Sequence, residues 1–538
     1  MGRSILTERR KSKRSYVNLR GQIVFPPFWG AEEHQVSIRN ISTSGLCAEV
    51  PFLNLEKGLS VNGEEILELR IPKVLGDGRI LGRAIRISLD EQEPKIGIQF
   101  VNIDDRAGKL IRNFLTRPSA QRYTIGLYAT EWRKSFFSST VSLIRDLVVG
   151  FLPFKLPKAV LWFIYGVEPA FVFYLHPRRK EDIFIALPLF RYMRKLLPSK
   201  WILLLASALP PFVLGAVKHK DQDGLIIVTL QLPSDLKDRP ITSIRKAKKT
   251  ISFVGKICSP GTVLGIGGWW PIVTTYGSAL QSEAERFKIQ ITDGHCCTLL
   301  SLYLMIEKII QISGIDKKDF RIGIIGLGAM GQKISLLLNG KIDKLLLIDV
   351  NQKRLETVVA TLMREQTSTT LETVCAVDGD RALSAAFNQA HLYVCTASNI
   401  GKIINDHFLP ERIVVIDDSR PEAFTRENPH LGRVIIEGGL IKLRDAVVTY
   451  DFGFGSDENV FGCLAESYLL ALDRKMNKEA PTLKPTIGDV ELDNFWKMKE
   501  FCEMNSISVG EFKSGSLYVG DDLIATIIKQ KEHELLTI

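Results

Sequence analysis

The segment RIGIIGLGAMGQKISLLLNGKIDKLLLID, residues 321–349, specifies a fold more clearly than any other part of the chain. A β-branched run leads into Gly326, Gly328 and Gly331 at the spacing G-x-G-x-x-G, and a helix and a second apolar strand follow, ending on Asp349. Gly326 permits the tight turn, Gly328 lets backbone approach a pyrophosphate, and Gly331 allows close contact between helix and strand. Asp349 is placed to accept hydrogen bonds from a ribose diol. We therefore predict a site for a dinucleotide, NAD or NADP.

Length, composition and charge constrain the number of domains, the class of protein and the kind of partner. A chain of 538 residues is too long for one core and indicates two to four domains. The hydrophobic share of 45% and the charged share of 24% exclude a disordered or fibrous protein. The net charge of +10 implies an anionic partner. Nucleotides, an acidic carrier protein and an anionic membrane surface satisfy it as well as nucleic acid does, and we expect no nucleic acid.

The cysteines indicate the compartment. Eight are scattered along the chain without the spacing of metal ligands, and charged residues stand where a signal peptide would begin. We therefore expect reduced thiols, no metal site and a cytoplasmic location. The adjacent pair Cys296 and Cys297 is interpreted as two small buried side chains at the start of a helix.

The first 118 residues form a separate pattern of short alternating runs divided by turn residues, which predicts a small β-barrel followed by a helix over residues 105–115. Two motifs mark this module: Arg10 and Arg14 as R-x-x-x-R, and Asn40, Ser42 and Gly45 as [DN]-x-S-x-x-G.

In their order and spacing these motifs resemble the signatures of PilZ domains. The resemblance implies that the module binds cyclic di-GMP. Guanidinium groups match phosphate geometry and stack on purines, and polar groups on a turn can read a guanine edge. The ligand contacts carried over are Arg9, Arg10, Arg14, Asn40, Ser42 and Gly45.

Residues 119–168 are apolar and aromatic with basic flanks, and prolines and a glycine interrupt them. No uninterrupted apolar run reaches the length that a spanning helix needs. Such a segment suits a membrane interface and equally suits a connector packed on one domain. A peripheral position on the inner membrane follows from the first interpretation.

Residues 169–312 predict a second α/β region, with strands over residues 169–175, 201–206, 224–230 and 289–292 and helices over 242–257 and 297–312. Residues 313–455 continue strand and helix alternation beyond Asp349, which predicts a doubly wound parallel sheet of the Rossmann type. The predicted fold is therefore multidomain: a small β-barrel, then this Rossmann domain with a smaller α/β substrate domain.

The last region, residues 456–538, is predicted to be helical and to complete the substrate domain. Its first helix is predicted to start near Asp457, with Cys463 in the early turns, where a helix N-terminus favours a thiolate. Core packing is the competing interpretation of Cys463, because Val460, Leu464 and Tyr468 share its predicted apolar face.

The order of segments from about residue 170 to 515 is similar to that of the cyanobacterial long-chain fatty acyl-(acyl-carrier-protein) reductases. The matching pieces are His176 after the first strand, SALPP at 207–211, a variant GG turn at 267–268, TDGH at 292–295, the glycine fingerprint, EGG at 437–439 and FGCLAE at 461–466. The resemblance implies that Cys463 takes the acyl group from acyl-carrier protein or acyl-CoA as a thioester. Hydride from NAD(P)H then reduces it to an aldehyde.

Within that scheme His295 is the candidate proton donor, and a structural histidine bonded near Asp293 is the alternative. Such reductases generally use NADPH, whereas Asp349 favours NAD because a carboxylate repels a 2′-phosphate. Lys353 and Arg354 lie close enough in sequence to serve a phosphate. The sequence thus predicts an oxidoreductase that responds to cyclic di-GMP. The alternatives are another dehydrogenase, acting on an amino or keto acid, and a non-catalytic signalling scaffold.

Overall fold

The computed structural model describes residues 15–24, 33–42, 45–49, 66–75, 78–88, 95–101, 103–116 and 168–537, the last range with gaps at 179, 188–189, 191–192, 195, 220, 378–379, 398–407, 420–421, 425–431, 449–457, 478 and 515–516. The chain divides into two compact units, one N-terminal and one C-terminal. Arg9, Arg10 and Arg14, nearly all of the segment 119–168 and the glycine-rich loop before Cys463 lie outside the described residues.

The N-terminal unit is a six-stranded antiparallel barrel, with strands in the order β1-β2-β3-β6-β5-β4. Alternate side chains such as Ile38, Leu46 and Ile98 fill its interior, where helix α2 adds Ile111. This confirms the β-rich module that the alternation predicted. The elements are β1 Ser15–Val24, β2 Glu33–Ser42, β3 Gly45–Glu49, β4 Ile66–Arg70, α1 Pro72–Leu75, β5 Arg79–Ser88, β6 Lys95–Val101 and α2 Asp105–Thr116.

The C-terminal unit begins with a mixed sheet in the order β11-β10-β7-β9-β8-β19, in which β19 is Val447–Val448. Strands β11, β10, β7 and β9 are parallel, whereas β8 and β19 run antiparallel to their neighbours. Its elements are β7 Pro169–Leu175, α3 Lys180–Ala186, α4 Ser199–Ala208, β8 Phe212–Lys218, β9 Asp223–Val228, α5 Pro233–Asp238, α6 Pro240–Ile257, β10 Val263–Ile266, α7 Trp270–Val273, α8 Gln281–Arg286, β11 Gln290–Thr292 and α9 His295–Ser313.

One prediction fails in this sheet. Residues 201–206, predicted as a strand, belong to helix α4, and the strand lies immediately after it as β8. The run WILLLA is apolar throughout, so no periodicity separates helix from strand within it. Helix α4 buries only Ile202 and Ala206.

The second sheet has six parallel strands in the order β14-β13-β12-β15-β16-β17. The strand order reverses between β12 and β15, as in doubly wound nucleotide-binding folds, and the predicted parallel sheet is confirmed. Its elements are β12 Arg321–Ile325, α10 Ala329–Leu338, β13 Lys344–Asp349, α11 Gln352–Met363, β14 Thr370–Cys375, α12 Asp380–Ala386, β15 Leu392–Cys395, β16 Ile413–Asp417 and β17 Arg433–Glu437.

Among the remaining elements, β20, β18 and β21 form a separate three-stranded antiparallel sheet. Strand β19 joins the first sheet, and α15 lies against the second, where Arg412 Nη1 is 3.1 Å from Glu534 Oε1. These elements are β18 Leu440–Lys442, β19 Val447–Val448, β20 Asn459–Phe461, α13 Gly462–Met476, α14 Leu492–Met504, β21 Ser508–Val509, β22 Lys513–Ser514, β23 Leu517–Tyr518 and α15 Asp521–Thr537.

Helix α9 lies in one continuous core with faces of both sheets. Phe171 and Phe173 of the first sheet and Ile322 and Ile324 of the second belong to the same buried cluster as most of α9. A helix that is apolar around most of its surface is buried in a protein core or in a membrane. Within the described residues α9 alone is long and apolar enough to cross a membrane, and 67% of its most apolar window is buried.

Candidate functional site

The glycine fingerprint forms the turn between β12 and α10. Gly326 has φ +85° and donates its N–H to Ile348 O over 2.8 Å. A Cβ on Gly331 would lie less than 3.0 Å from Gly326 O, whereas nothing lies within 4 Å of a Cβ position on Gly328, the N-cap of α10. The turn therefore exposes backbone at a helix N-terminus, which is the arrangement that accepts a pyrophosphate.

Asp349 is buried at the end of β13. Its Oδ2 accepts from Leu327 N over 2.7 Å and its Oδ1 from Asn351 N over 2.9 Å. Arg354 Nη1 lies 3.3 Å from Oδ2. The carboxylate thus anchors the glycine loop while a half-exposed guanidinium stands beside it. The position expected of a ribose-binding acid therefore carries a carboxylate and a cation together.

The loop TDGH joins β11 to α9 and places two acid-base groups side by side. Asp293 is buried, and its carboxylate accepts from His295 N over 3.0 Å and from Gly488 N over 2.8 Å. His295 Nδ1 is 3.2 Å from Asp293 Oδ2, and one fifth of the His295 side chain is exposed. A buried carboxylate therefore orients a partly accessible imidazole.

The electrostatics of His295 favour its charged form. Burial lowers the pKa of the imidazole, but the hydrogen bond and charge of Asp293 raise it, as do the charges of Glu466 and Asp418, so the net pKa lies above the ordinary value. A histidine with a raised pKa keeps a proton available near neutral pH. His295 is thus poised to give a proton to developing negative charge.

Glu466 lies fully buried on α13 and ties three segments together. Thr292 Oγ1 and Thr486 N donate to its Oε1, the latter over 3.2 Å, and Cys297 N donates to its Oε2 over 2.9 Å. Burial and the charge of Asp293 raise the pKa of Glu466, and these hydrogen bonds oppose the rise. Because Cys297 is in the first turn of α9, Glu466 acts as a cap supplied by another helix.

Cys463 is the second residue of α13, which begins at Gly462 and not near Asp457 as predicted. The predicted start was too early because β20 occupies residues 459–461. A Cβ on Gly294, whose φ is +76°, would lie less than 3.0 Å from Cα and Cβ of Cys463. The structure therefore brings Cys463 next to the TDGH loop, which is far from it in sequence.

A second close approach joins the N-termini of α9 and α13. A Cβ on Gly462 would lie less than 3.0 Å from Thr298 N and Cα, and Gly462 donates its N–H to Gly439 O over 2.7 Å. Gly438 and Gly439 in turn pack against Asp418 at the end of β16. The EGG and FGCLAE segments therefore lie together where the Rossmann sheet meets the TDGH loop.

The thiols differ sharply in exposure. All eight cysteines are outside disulfides, six are buried, and only Cys47 and Cys463 are partly exposed. Burial raises the pKa of Cys296, Cys297 and Cys395 well above the ordinary value and that of Cys502 to about 12. Cys296 and Cys297 are thus inert core thiols, as the sequence indicated. In the C-terminal unit, Cys463 is the one partly exposed cysteine.

His176, which is part of the sequence resemblance, has a structural role. Its Nε2 accepts from Trp269 N over 2.8 Å and its Nδ1 lies 2.8 Å from Pro177 O. Burial lowers the pKa of His176 to about 4, so the ring is neutral and Nδ1 carries the proton that it donates to Pro177 O. His176 therefore holds the GG turn at 267–268 and is not a proton donor to substrate.

A strained loop that sequence reasoning missed lies beside His295. Thr275, Tyr276 and Gly277 have φ of 51°, 55° and 87°, and positive φ is unusual for a β-branched residue. The Tyr276 ring stands 5.4 Å from the His295 ring, at 59°. Only the G of TTYG hints at this backbone, so the sequence carries no signal that places Tyr276 at the site.

The second barrel motif forms the hairpin between β2 and β3. Ser42 and Gly45 face each other in the ladder, and Ser42 Oγ donates to Gly45 O over 3.1 Å. A Cβ on Gly45 would lie less than 3.0 Å from Ile98 O on β6. Asn40 lies on β2 opposite Cys47. These residues shape the hairpin, and the other half of the proposed ligand site falls outside the described residues.

Comparison with known proteins identifies the N-terminal module. The PilZ domain family model matches residues 8–117, so this part of the chain is a PilZ domain. No curated protein sequence matches the chain significantly. No group of side chains suited to a metal ion occurs in the described part of the chain.

Three solved structures are similar to parts of the chain. The PilZ domain with c-di-GMP of YcgR from Escherichia coli is 13% identical, covering 20% of this chain and 88% of that one, with a TM-score of 0.16. L-tryptophan dehydrogenase from Nostoc punctiforme is 12% identical, covering 69% and 90%, with a TM-score of 0.31. One subunit of dipicolinate synthase from Bacillus halodurans is 12% identical, covering 35% of this chain and 61%, less than two thirds, of that one, with a TM-score of 0.24. Likenesses this distant carry no argument about activity.

Proposed function

We propose that the protein is an NAD(P)H-dependent reductase that converts a long-chain fatty acyl thioester to an aldehyde through a thioester on Cys463, and that cyclic di-GMP bound to the PilZ domain regulates it. The observation that carries the proposal is the position of Cys463. A partly exposed thiol lies at the N-terminus of a helix of 15 residues and packs on the loop that holds His295 and Asp293.

The chemistry follows from these neighbours. The Cys463 thiolate attacks the thioester carbonyl, the bond to the carrier sulfur breaks, and the carrier leaves as a thiolate that takes a proton. This step exchanges one thioester for another of similar energy. The positive end of the α13 helix dipole favours the thiolate before attack.

Reduction requires a second partner. A bound reduced nicotinamide supplies hydride to the acyl carbon. The residues present fit such a cofactor, because Gly328 leaves backbone open at the α10 N-terminus and Asp349 ends the next strand. His295, whose pKa Asp293 holds up, protonates the resulting oxyanion. The hemithioacetal hydroxyl then returns its proton to His295 as the carbon–sulfur bond breaks, which releases the aldehyde and restores the Cys463 thiolate.

The effector site is proposed on the PilZ module. Arg9, Arg10 and Arg14 would contact the phosphates and purine faces, and Asn40, Ser42 and Gly45 the guanine edges. Ser42 Oγ already donates to Gly45 O, so ligand binding would exchange that bond for one to the base.

The partners follow from the same scheme. An acyl-carrier protein or acyl-CoA is anionic, which suits a chain of net charge +10. We place the protein in the cytoplasm, peripheral to the inner membrane.

The proposal is tested by measuring aldehyde formed from palmitoyl-acyl-carrier protein with NADH or NADPH, with and without cyclic di-GMP. We expect aldehyde in stoichiometric amounts with oxidised cofactor, and a rate that cyclic di-GMP changes. The double variant Arg10→Ala, Arg14→Ala is expected to lose the cyclic di-GMP response, whereas Lys11→Ala, in the same basic run, keeps it. Cofactor oxidation with an amino or keto acid and none with the thioester would replace the proposal by the alternative dehydrogenase. A rate indifferent to cyclic di-GMP would refute the regulatory part alone.

Cofactor choice gives a separate prediction. Since Asp349 is at the ribose position, NADH is expected to bind more tightly than NADPH. Arg354 is the cation beside it, 3.3 Å away, so Arg354→Ala should weaken NADPH binding about tenfold and change NADH binding little. Fluorescence titration measures both. The matched control is Lys353→Ala, the neighbouring exposed cation. Tighter binding of NADPH than of NADH by the unmodified protein would contradict the role given to Asp349.

A further inference from the structure

Helix α4 and the residues just before it carry an apolar surface that faces solvent. Leu196, Leu197, Trp201, Leu204 and Leu205 are between 39% and 74% exposed. Five of the fifteen exposed large hydrophobic residues in the described part of the chain thus fall within ten positions. Scattered exposed hydrophobic residues need no explanation, but a cluster of this kind marks a surface that contacts something apolar.

Helix α4 has two apolar faces, of which one is buried and the other is exposed. Ile202 and Ala206 are fully buried against the cluster that includes Phe184 and Phe212. Residues 201, 204 and 205 follow the spacing of a single stripe, which places Trp201 and both leucines on one side of α4. The protein's own core therefore holds α4 in place while the opposite stripe remains outside.

The charge around this surface identifies its partner. Between Asp182 and Asp221 the chain has 38 residues without one acidic side chain, and six of them are Lys or Arg. Arg194 and Lys200 are exposed beside the apolar stripe. Arg194 is also held over the Phe184 ring, 5.4 Å from its centroid. Leucines that are flanked by a tryptophan and by cations fit the boundary between acyl chains and anionic headgroups.

We propose that the apolar surface of α4 docks on an anionic lipid bilayer, with Trp201, Leu204 and Leu205 entering the headgroup region and Arg194 and Lys200 against lipid phosphates. From the sequence, residues 119–168 are either a membrane-interfacial segment or a connector packed on one domain. This surface is a different segment, and it is described by the structure. The inference does not depend on the reaction catalysed by Cys463.

The test is flotation of the full chain with vesicles of phosphatidylcholine alone and with vesicles containing about one third phosphatidylglycerol. We expect binding to the anionic vesicles that weakens as salt is raised. The triple variant Trp201→Gln, Leu204→Gln, Leu205→Gln should bind those vesicles about tenfold less tightly or worse, because it removes apolar area without changing charge. Lys200→Gln should weaken binding about fivefold.

The matched control is Ile241→Gln with Met363→Gln, which removes two side chains of 68% and 62% exposure from other helices and should leave binding unchanged. Thermal unfolding checks that every variant is folded, which is expected because the altered side chains face solvent. Equal vesicle binding by the triple variant and the unmodified protein would overturn the proposal. If the triple variant also changed from a dimer to a monomer in light scattering while its vesicle binding stayed the same, the surface would join two copies of the chain, and the proposal would again be overturned.

Discussion

Replacing Cys463 by alanine is expected to abolish both the acyl-enzyme and aldehyde formation, with a loss of rate of about a thousandfold or more, because the C-terminal unit has no other partly exposed thiol to accept the acyl group. Cys463 is the partly exposed thiol of the C-terminal unit, whereas burial keeps the nearby Cys296 and Cys297 protonated. Incubation with radiolabelled acyl-carrier substrate, followed by denaturing electrophoresis, measures the acyl-enzyme directly. Binding of NADH should persist in the variant, since the glycine turn belongs to β12 and α10.

The control is Cys47→Ala, assayed without cyclic di-GMP. Cys47 is the other partly exposed thiol, and it lies on β3 of the barrel. Its replacement should leave labelling and aldehyde formation unchanged. Radiolabel that remains on Cys463→Ala would eliminate Cys463 as the nucleophile, and loss of label in Cys47→Ala would move the thioester to the barrel.

The parts of the fold that the sequence predicted are those in which residue type dictates backbone. Gly326 at φ +85° and Gly331 against Gly326 O are positions that only glycine satisfies, so the fingerprint predicted its own turn. The barrel was predictable because side chains such as Ile38 and Ile98 alternate with outward-facing ones. Residues 201–206 were wrongly predicted because an entirely apolar run has no period to distinguish α4 from a strand.

The candidate site, too, was predictable from the sequence only in part. Asp293 and His295 were recognisable from the sequence as acid-base groups. The approach of their loop to Cys463 depends on Gly294 packing against α13, which no local pattern encodes. Tyr276 was missed because its positive φ is imposed by surrounding structure. Long-range contacts between helix ends are set by packing, which cannot be predicted from a single sequence.

Glu466 is expected to be the residue on which the stability of the site depends most. Its carboxylate accepts from Thr292 Oγ1, Cys297 N and Thr486 N in a fully buried position. Glu466→Ala would remove the acceptor of Cys297 N, leave Thr292 Oγ1 and Thr486 N with only their bonds to Thr486 O and Thr292 Oγ1, and open a cavity. These losses should lower the free energy of unfolding by about 3 to 5 kcal/mol. Thermal unfolding of the C-terminal unit, followed by circular dichroism, measures the loss.

Two further variants separate this effect from the removal of any glutamate. Glu466→Gln keeps the volume but turns an amide donor toward one of the three donors, so we expect a smaller loss of about 1 to 3 kcal/mol. Glu491→Ala removes an exposed carboxylate that lies 3.3 Å from Lys484, and exposed pairs contribute less than about 1 kcal/mol. The expected order of stability is therefore Glu491→Ala, then Glu466→Gln, then Glu466→Ala. If Glu466→Ala were as stable as Glu491→Ala, Glu466 would not cap α9, and the N-termini of α9 and α13 would have to be held together by the glycine contacts alone.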